Sequence, residues 1–174
     1  MADRKIVLFI ATSLDGYIAT TEGSLNWLFE AEGEGDNGFA DFYESTDALI
    51  MGKSTYDHLM EMTENKYPHA DRKSYVFTSD TSAMHEAIEF INEDVVTFTK
   101  RLKKEEGKNI WLIGGSQLLD AFMKKDLVDE YIITHAPVLL GNGIPLFKEG
   151  NPEIQLHLKE TKRYGSMVQN HYVK

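Results

Sequence analysis

Two adjacent glycines in the middle of the chain stand at a point suited to binding phosphate. Gly114 and Gly115 follow the apolar run Ile110 to Ile113, a predicted strand, and precede a predicted helix that begins at Ser116. Glycine lets the backbone approach a phosphate closely, and a helix N-terminus offers unpaired N–H groups and a partial positive charge. A tight strand-to-helix turn that serves packing alone would also use these glycines, so this segment by itself leaves both interpretations open.

A second segment has the same design. The apolar run Ala48 to Met51 ends at Gly52, and the helix predicted after it begins with a cation and two hydroxyls. These three residues are Lys53, Ser54 and Thr55. Such a group can hold a phosphate through charge-assisted hydrogen bonds, although a solvated lysine beside an ordinary helix cap would look the same. The segment is not a P-loop, because Asp47 stands where the first glycine of that motif is required.

A third segment places hydroxyls at the end of a strand. The run Ser74 to Thr78 predicts this strand, and Thr78 and Ser79 stand at its carboxyl end. In an open α/β sheet, ligands bind at the carboxyl ends of the strands. The three segments are therefore predicted to meet on one extended, phosphate-bearing ligand.

Two further residues are candidates for the substrate side of such a site. Asp15 follows the first predicted strand, and its carboxylate would bind a polar substrate group or guide a proton, unless it serves only the Asp15-Gly16 turn. Trp27 lies in a predicted long loop, Thr21 to Gly38, where it would cover a reacting ring or anchor the loop.

Composition excludes several classes of chemistry. The chain has no cysteine, which removes disulfides, zinc-thiolate sites, iron-sulfur clusters and thiol nucleophiles. Its six histidines lack a ligand spacing, so no metal site is predicted. A net charge of -10 disfavours nucleic acid and anionic membranes as partners. With 174 residues and no apolar run of membrane-spanning length, the sequence predicts one cytoplasmic domain over residues 1–174.

The order of the predicted elements indicates the fold class. Strands and helices alternate through the first three quarters of the chain, and two strands joined at Tyr164 to Ser166 close it. Further strands are predicted at Lys5 to Thr12, Ile88 to Ile91, Glu130 to Ala136, Ile154 to Thr161 and Met167 to Val173. A helix capped by Asn37 and ending near Ser45 precedes the Ala48 strand. This order predicts an α/β layered fold with a mostly parallel sheet and an antiparallel edge.

As an ordered set, five segments resemble the dihydrofolate-reductase-like superfamily, and more closely its branch related to the reductase domain of bacterial riboflavin biosynthesis. The segments are SLDGYIA, DALIMGKSTY, VFTS, IWLIGGSQLLDAF and VDEYIITHAPVLLGNGIPLF, and they cover nearly the whole chain. The resemblance implies a three-layer fold, with helices on both faces of a mixed, mostly parallel sheet and a C-terminal antiparallel hairpin. It also implies an oxidoreductase that uses NADPH and forms a homodimer.

The resemblance assigns residues to the two ends of the cofactor. At the adenosine end and its 2'-phosphate it implies Gly52, Lys53, Ser54, Thr55, Thr78 and Ser79. At the pyrophosphate it implies Gly114, Gly115, Ser116, Gln117 and Leu118. Asp15 would lie near the nicotinamide as the catalytic candidate. Lys53 replaces an arginine that is common in the family, which keeps the charge but loses the bidentate fork.

The substrate is less well defined by the sequence. Folate-reducing members carry a carboxylate on the helix before the Ala48 strand, and Asp36, Asp41 and Glu44 are all available there. We expect hydride transfer to a small polar substrate, pterin-like, a flavin precursor or ribosylated, held between Ser13 to Ile18 and the Thr21 to Gly38 loop. A nucleotide-binding module or sensor without turnover would keep the same cofactor turns.

Overall fold

A computed structural model describes residues 4–174 of the chain. The strands in this part of the chain are β1 (Ile6–Thr12), β2 (Tyr17–Ala19), β3 (Thr46–Gly52), β4 (Lys73–Phe77), β5 (Ile88–Ile91), β6 (Asn109–Gly114), β7 (Glu130–His135), β8 (Ile144–Pro145), β9 (His157–Tyr164) and β10 (Met167–Val173). The helices are α1 (Asn26–Phe29), α2 (Phe39–Glu44), α3 (Lys53–Met62), α4 (Val95–Leu102) and α5 (Ser116–Lys124).

Eight of these strands form one sheet, in the order β5-β4-β3-β6-β1-β7-β10-β9. The pairs from β5 to β7 are all parallel, and β10 runs antiparallel to both of its neighbours, β7 and β9. The short strands β2 and β8 form a separate antiparallel pair. The predicted mixed, mostly parallel sheet with a C-terminal antiparallel hairpin is confirmed.

Apolar residues on the two faces of the sheet pack against different helices. On one face Leu8 and Leu112 pack with Phe98 of α4 and Phe122 of α5. On the other face Trp111 packs with the aromatic side chains of α2 and with Tyr56 of α3. This arrangement gives three layers, helix on sheet on helix, as the α/β prediction requires.

The segment before β3 differs in detail from the prediction. Residues 21–38 contain the short helix α1, and Asn37 does not cap α2, because its φ of 53° is left-handed and Gly38 holds the cap position. The carboxylate of Asp36 instead accepts a hydrogen bond from the Ala40 N–H at 2.7 Å.

The last hairpin also begins later than predicted. Ile154 and Leu156 lie outside β9, because they pack against the apolar core on the α4 and α5 face instead of pairing. The two-residue and three-residue strands β8 and β2 were not predicted, since segments this short carry no measurable periodicity. Within residues 4–174, no helix is both long and apolar enough to cross a bilayer.

Candidate nucleotide site and substrate cleft

The three predicted phosphate segments end on neighbouring strands of the sheet. Met51 of β3 pairs with Gly114 of β6, and Gly52 pairs with Phe77 of β4. Thr78 follows Phe77 directly. The carboxyl ends of β4, β3 and β6 therefore lie side by side, and the structure brings the three segments together.

The helices that follow β3 and β6 begin in contact with each other. A Cβ atom added at Gly115 would lie 3.2 Å from Thr55 Oγ1, and one added at Gly52 would lie 3.8 Å from Leu118 Cβ. The contact at Gly115 is tighter than ordinary van der Waals distance, so only glycine fits there without a shift of Thr55. The first turns of α3 and α5 thus form one continuous surface at this edge of the sheet.

Neither α3 nor α5 has a side chain that caps the N–H groups of its first turn. Each has glycine as its N-cap residue, Gly52 and Gly115. Within residues 4–174 the amides of the first turn of α5 have no acceptor outside the helix; these are Ser116, Gln117 and Leu118. Unpaired N–H groups and the positive end of the helix dipole favour an anion at such a position.

The backbone at the end of β6 requires glycine. Gly114 has a φ of 114°, a conformation that residues with a side chain rarely adopt, and its peptide bond to Gly115 is cis. A Cβ atom at position 114 would also contact Ile10 Cδ1 at 3.7 Å. Gly114 itself is buried, and Gly115, which follows it at the start of α5, is partly exposed.

Lys53 lies at the start of α3 among acidic neighbours. Its Nζ is 2.6 Å from Asp57 Oδ1 and 5.7 Å from the ring centroid of Tyr56. Hydrogen bonds from Ser82 hold the pKa of Asp80 below its ordinary value, and the charge of Lys53 contributes in the same direction. The ion pair with Asp57 is largely exposed and so contributes little to stability, which leaves Lys53 free to exchange Asp57 for another anion.

Thr78 lies on the rim of a cavity at the β5 edge of the sheet. The cavity has a volume of about 780 Å³, and His85, Phe90 and Met84 also line it. Thr78 Oγ1 accepts a hydrogen bond from the Asp80 N–H at 3.0 Å, which shapes the turn after β4, while Ser79 is exposed beside it. This cavity adjoins the carboxyl end of β4 and is large enough for an aromatic ring.

The carboxylate of Asp15 accepts three hydrogen bonds from nearby groups. Its oxygens accept hydrogen bonds from the Ser13 hydroxyl at 2.6 Å, from the Leu140 N–H at 3.1 Å and from the Gly141 N–H at 2.8 Å. The Ser13 hydrogen bond, with smaller contributions from the two N–H groups, lowers the pKa of Asp15. Asp15 is therefore ionised at neutral pH and ties the loop after β1 to the loop after β7.

The structure separates the other substrate-side candidates from the phosphate segments. Trp27 is 8% exposed and anchors α1 against Ala136 and Met167, and Asp36 closes the N-terminus of α2. Asp41 lies beside Asn109, at the amino end of β6. Gly114 is five steps along an extended strand from Asn109, a distance of roughly 17 Å. Asp41 is thus at the opposite end of the sheet from the glycine turn.

Comparisons with known proteins identify the family. The family model described as the RibD C-terminal domain matches residues 4–170. The chain belongs to this family. A protein of Bacillus subtilis (strain 168) named "Uncharacterized protein YwjB" is 53% identical over 173 residues, 99% of each chain.

Solved structures support the assignment of the chain to the RibD C-terminal domain family. A putative riboflavin biosynthesis protein from Shewanella sp. PV-4 has a TM-score of 0.88 at 28% identity, covering 97% of this chain and 98% of that one. Dihydrofolate reductase from Enterococcus faecalis has a TM-score of 0.69 at 20% identity, covering 97% and 95%. The dihydrofolate-reductase-like fold is therefore confirmed, together with the riboflavin-reductase-like branch.

Sequence reasoning missed a second part of this RibD C-terminal domain, on the β7 side of the glycine turn. Thr134 and Gln169 are buried polar residues on β7 and β10, 5% and 8% exposed, and their side chains are hydrogen-bonded to each other. Thr12 and His135 form a similar pair on the opposite face, with Oγ1 and Nδ1 3.1 Å apart. Burial lowers the pKa of His135, so the ring is neutral at pH 7. In the sequence, a polar residue at an inward strand position was the available signal.

Proposed function

We propose that this chain is an NADPH-dependent reductase that transfers a hydride to a small polar substrate. The observation that carries the proposal is the pair of uncapped helix N-termini, α3 and α5, that meet at Gly52 and Gly115 beside Thr78. Two anion sites in contact at the carboxyl edge of a parallel sheet suit a dinucleotide, whose phosphates are spaced along one extended molecule. The Enterococcus faecalis reductase structure is a complex with NADP(H), which supports the same cofactor here.

The residues present fit this cofactor. The space that a Cβ atom would occupy at Gly115 is left for a pyrophosphate, which would accept hydrogen bonds from the amides of Ser116, Gln117 and Leu118. Lys53 with Ser54 and Thr55 would hold the 2'-phosphate, and Thr78 and Ser79 the adenosine ribose, with the cavity near Phe90 beside them for the base. When bound, NADPH supplies the hydride, and the chain supplies position and electrostatics.

On the substrate side, we propose that Asp15 acts through position. Its carboxylate fixes the segment from Ser13 to Ile18, which lies at the carboxyl end of β1 next to the glycine turn. Because its pKa is lowered, Asp15 is a poor proton donor at neutral pH but a stable negative charge beside the nicotinamide position. Trp27 would contribute to the wall of the same cleft.

Titration of NADPH and NADH against the purified chain tests the cofactor assignment. We expect NADPH to bind at least about 10-fold more tightly than NADH, because one charge-assisted contact to the 2'-phosphate is worth roughly 1.5 kcal/mol or more. A screen of pterins, flavin precursors and carbonyl compounds, read as loss of nicotinamide absorbance, then tests turnover. Failure of both nucleotides to bind below about millimolar would contradict the proposal.

One observation favours a second candidate, a nucleotide-binding module or sensor without turnover. The hydrogen bond from Ser13, with those from Gly141 and Leu140, lowers the pKa of Asp15, so the acid expected near the nicotinamide is ionised at neutral pH and is a poor proton donor. Tight NADPH binding without substrate-dependent oxidation of NADPH would favour this candidate.

We also propose, from the family resemblance, that the chain is a cytoplasmic homodimer. Light scattering after size-exclusion chromatography tests the dimer, since one chain is 19.8 kDa and a dimer would have twice that mass.

A further inference from the structure

Methionine carries all the sulfur of this chain, because the sequence has no cysteine. Within residues 4–174 the methionines differ widely in exposure. Met51, Met123 and Met167 are at most 8% exposed and lie in the apolar cores. In contrast, Met62 is 46% exposed and Met84 is 91% exposed. A peroxide in water reaches exposed thioethers first, so oxidation of this part of the chain should begin at Met84.

Met84 lies in the turn between β4 and β5, and hydrogen bonds order this turn on both sides of it. Before Met84, the N–H and the hydroxyl of Ser82 donate to Asp80 Oδ1 at 2.9 and 2.6 Å. After Met84, the Ala87 N–H donates to His85 Nδ1 at 3.1 Å. The backbone therefore fixes the point from which the Met84 side chain projects, while the side chain itself contacts little of the folded chain.

Met84 lines the cavity at the β5 edge together with two rings, Phe90 and His85, which we refer to as the aromatic wall. Both rings are half-buried. Tyr56 of α3 supports them, with its ring centroid 5.6 Å from that of Phe90 and 6.4 Å from that of His85. Met84 has no comparable support and has three rotatable side-chain bonds. The cavity thus combines a fixed aromatic wall with a movable apolar side chain.

A planar ring in the cavity would give Met84 the apolar partner that it lacks. A long apolar side chain in water favours any arrangement that buries it, and methionine sulfur packs favourably against aromatic rings. The cofactor base is the ring proposed to lie here, beside Thr78 and Ser79. With its three rotatable bonds, Met84 can turn onto this base, so that the ligand buries the side chain.

We propose that Met84 is an oxidation site that contacts the adenine base of the nucleotide, so that peroxide lowers nucleotide affinity through it. Hydrogen peroxide transfers one oxygen atom to the Met84 sulfur. The O–O bond breaks, an S=O bond forms, the sulfur gives up two electrons, and the second oxygen leaves as water. The sulfoxide is polar and no longer suits an apolar contact with the base. This inference rests on the proposed function, because it requires the base in the cavity.

A bound nucleotide should in turn shield Met84 from peroxide. Met62 is the internal control, since it is also exposed but is the last residue of α3, roughly 14 Å along the helix from Lys53. Mass spectrometry of the peptides measures how fast each methionine gains oxygen. NADP⁺ at about ten times its dissociation constant should slow oxidation of Met84 by up to about 10-fold, because only the free chain exposes it. Oxidation of Met62 should not change.

Nucleotide affinity is then measured on the oxidised chain, after catalase has removed the peroxide. Oxidation should weaken NADPH and NADH by the same factor, about 3- to 10-fold, because both carry the adenine base. This equal loss distinguishes Met84 from Lys53, which is proposed to act on NADPH alone. Fluorescence titration of treated and untreated protein gives both affinities.

Variants separate loss of the Met84 contact from other oxidative damage. Met84→Leu keeps an apolar side chain, so it should bind NADPH within about 3-fold of wild type and no longer respond to peroxide. Met84→Gln is polar and of similar size, and it should weaken both nucleotides about 3- to 10-fold without peroxide. Met62→Gln is the matched control and should bind as wild type does. Since Met84 contacts little of the folded chain, its variants should keep the wild-type melting temperature.

Three results would overturn the inference: Met84 sulfoxide with both affinities unchanged, an equal peroxide response in Met84→Leu and wild type, or equal protection of Met62 and Met84 by NADP⁺. A loss confined to NADPH would also count against it, because the base is common to both nucleotides. If the untreated wild type binds neither nucleotide, the proposed function fails and this inference fails with it. Normal binding that oxidation of Met84 leaves unchanged contradicts the inference alone.

Discussion

Two helices begin at the same edge of the sheet, but only one of them has a side chain that caps its first N–H groups. α4 starts with Asp94, whose carboxylate accepts a hydrogen bond from the Thr97 N–H at 3.0 Å. α5 starts with Gly115, which has no side chain to offer, and its first amides stay open. α4 follows the edge strand β5, whereas α5 follows β6 in the interior of the sheet.

The difference between α4 and α5 is that the first N–H groups of α4 stabilise the helix through a cap, whereas those of α5 are left for a ligand. A cap such as Asp94 satisfies the helix terminus and occupies the position where an anion would bind. Glycine at position 115 gives up that stabilisation and leaves the donors for a ligand. The helices that begin at the centre of the sheet, α3 and α5, both lack such a side-chain cap.

The largest effect is expected from closing the open terminus of α5. Gly115→Ala should lower NADPH affinity about 10- to 100-fold, because a Cβ atom occupies the space proposed for the pyrophosphate and contacts Thr55 Oγ1 at 3.2 Å. The φ of -66° at Gly115 suits alanine, so the melting temperature should change little. Isothermal titration calorimetry and thermal melts measure the two effects.

A double variant identifies the cause of that loss. Gly115→Ala with Thr55→Ala removes the contact with the hydroxyl, and the affinity for NADH, which lacks the 2'-phosphate proposed to contact Thr55, should remain low. Recovery of wild-type affinity in the double variant would show that displacement of Thr55, and not loss of space for phosphate, was responsible.

The next effect is expected at the start of α3. Lys53→Ala should weaken NADPH about 10-fold and NADH less than about 2-fold, because Lys53 is proposed to contact the 2'-phosphate alone. Lys124→Ala is the control, since Lys124 also pairs with an aspartate four residues away on its own helix, Asp120, and lies at the other end of α5. Equal losses for NADPH and NADH, measured by fluorescence titration, would remove Lys53 from the 2'-phosphate site.

A smaller effect of opposite sign is expected from the acidic partner of Lys53. Asp57→Asn frees Lys53 from an exposed ion pair worth about 0.2–1 kcal/mol and should raise NADPH affinity about 2- to 5-fold. NADH affinity should not change, which makes NADH the internal control. The gain should shrink as salt is added, and a gain that is independent of salt would point to a different cause.

The smallest effect on binding is expected at the capped terminus. Asp94→Ala should lower the melting temperature by about 2–5 °C and leave NADPH affinity unchanged. The hydrogen bond from the Thr97 N–H lowers the pKa of Asp94 below its ordinary value of 3.8, so the cap stabilises the fold at neutral pH. That stabilisation is lost as the pH falls through the lowered pKa. Melts should therefore show the gap between wild type and variant closing below pH 4.

Much of the fold could be predicted because its main elements carry strong local signals. The runs that became β1, β3 and β6 are apolar and short, and the glycines after β3 and β6 mark where helices begin. The convergence of three strand ends could be predicted as well, since parallel neighbours end at the same edge of a sheet.

The rest depended on contacts between distant residues. Asp36 and Asn37 are adjacent and both suit a helix cap, and only the backbone of the folded segment determined that Asp36 is used. Gln169 lies far from Asn37 and Thr134 in the sequence, so its polar side chain at an inward strand position was a signal that did not identify its partners. Asp41 has the carboxylate expected of a substrate-binding residue, but the direction of α2 places it at the amino end of β6.

The position of β1 in the sheet also affects how the chain folds. β1 is the first strand in the sequence, yet its two partners, β6 and β7, end at Gly114 and His135. Pairing between such distant segments closes long loops, which slows folding. During synthesis, the apolar segment of residues 6–12 therefore stays without its partners until most of the chain has been made, while β3, β4 and β5 can already pair with one another.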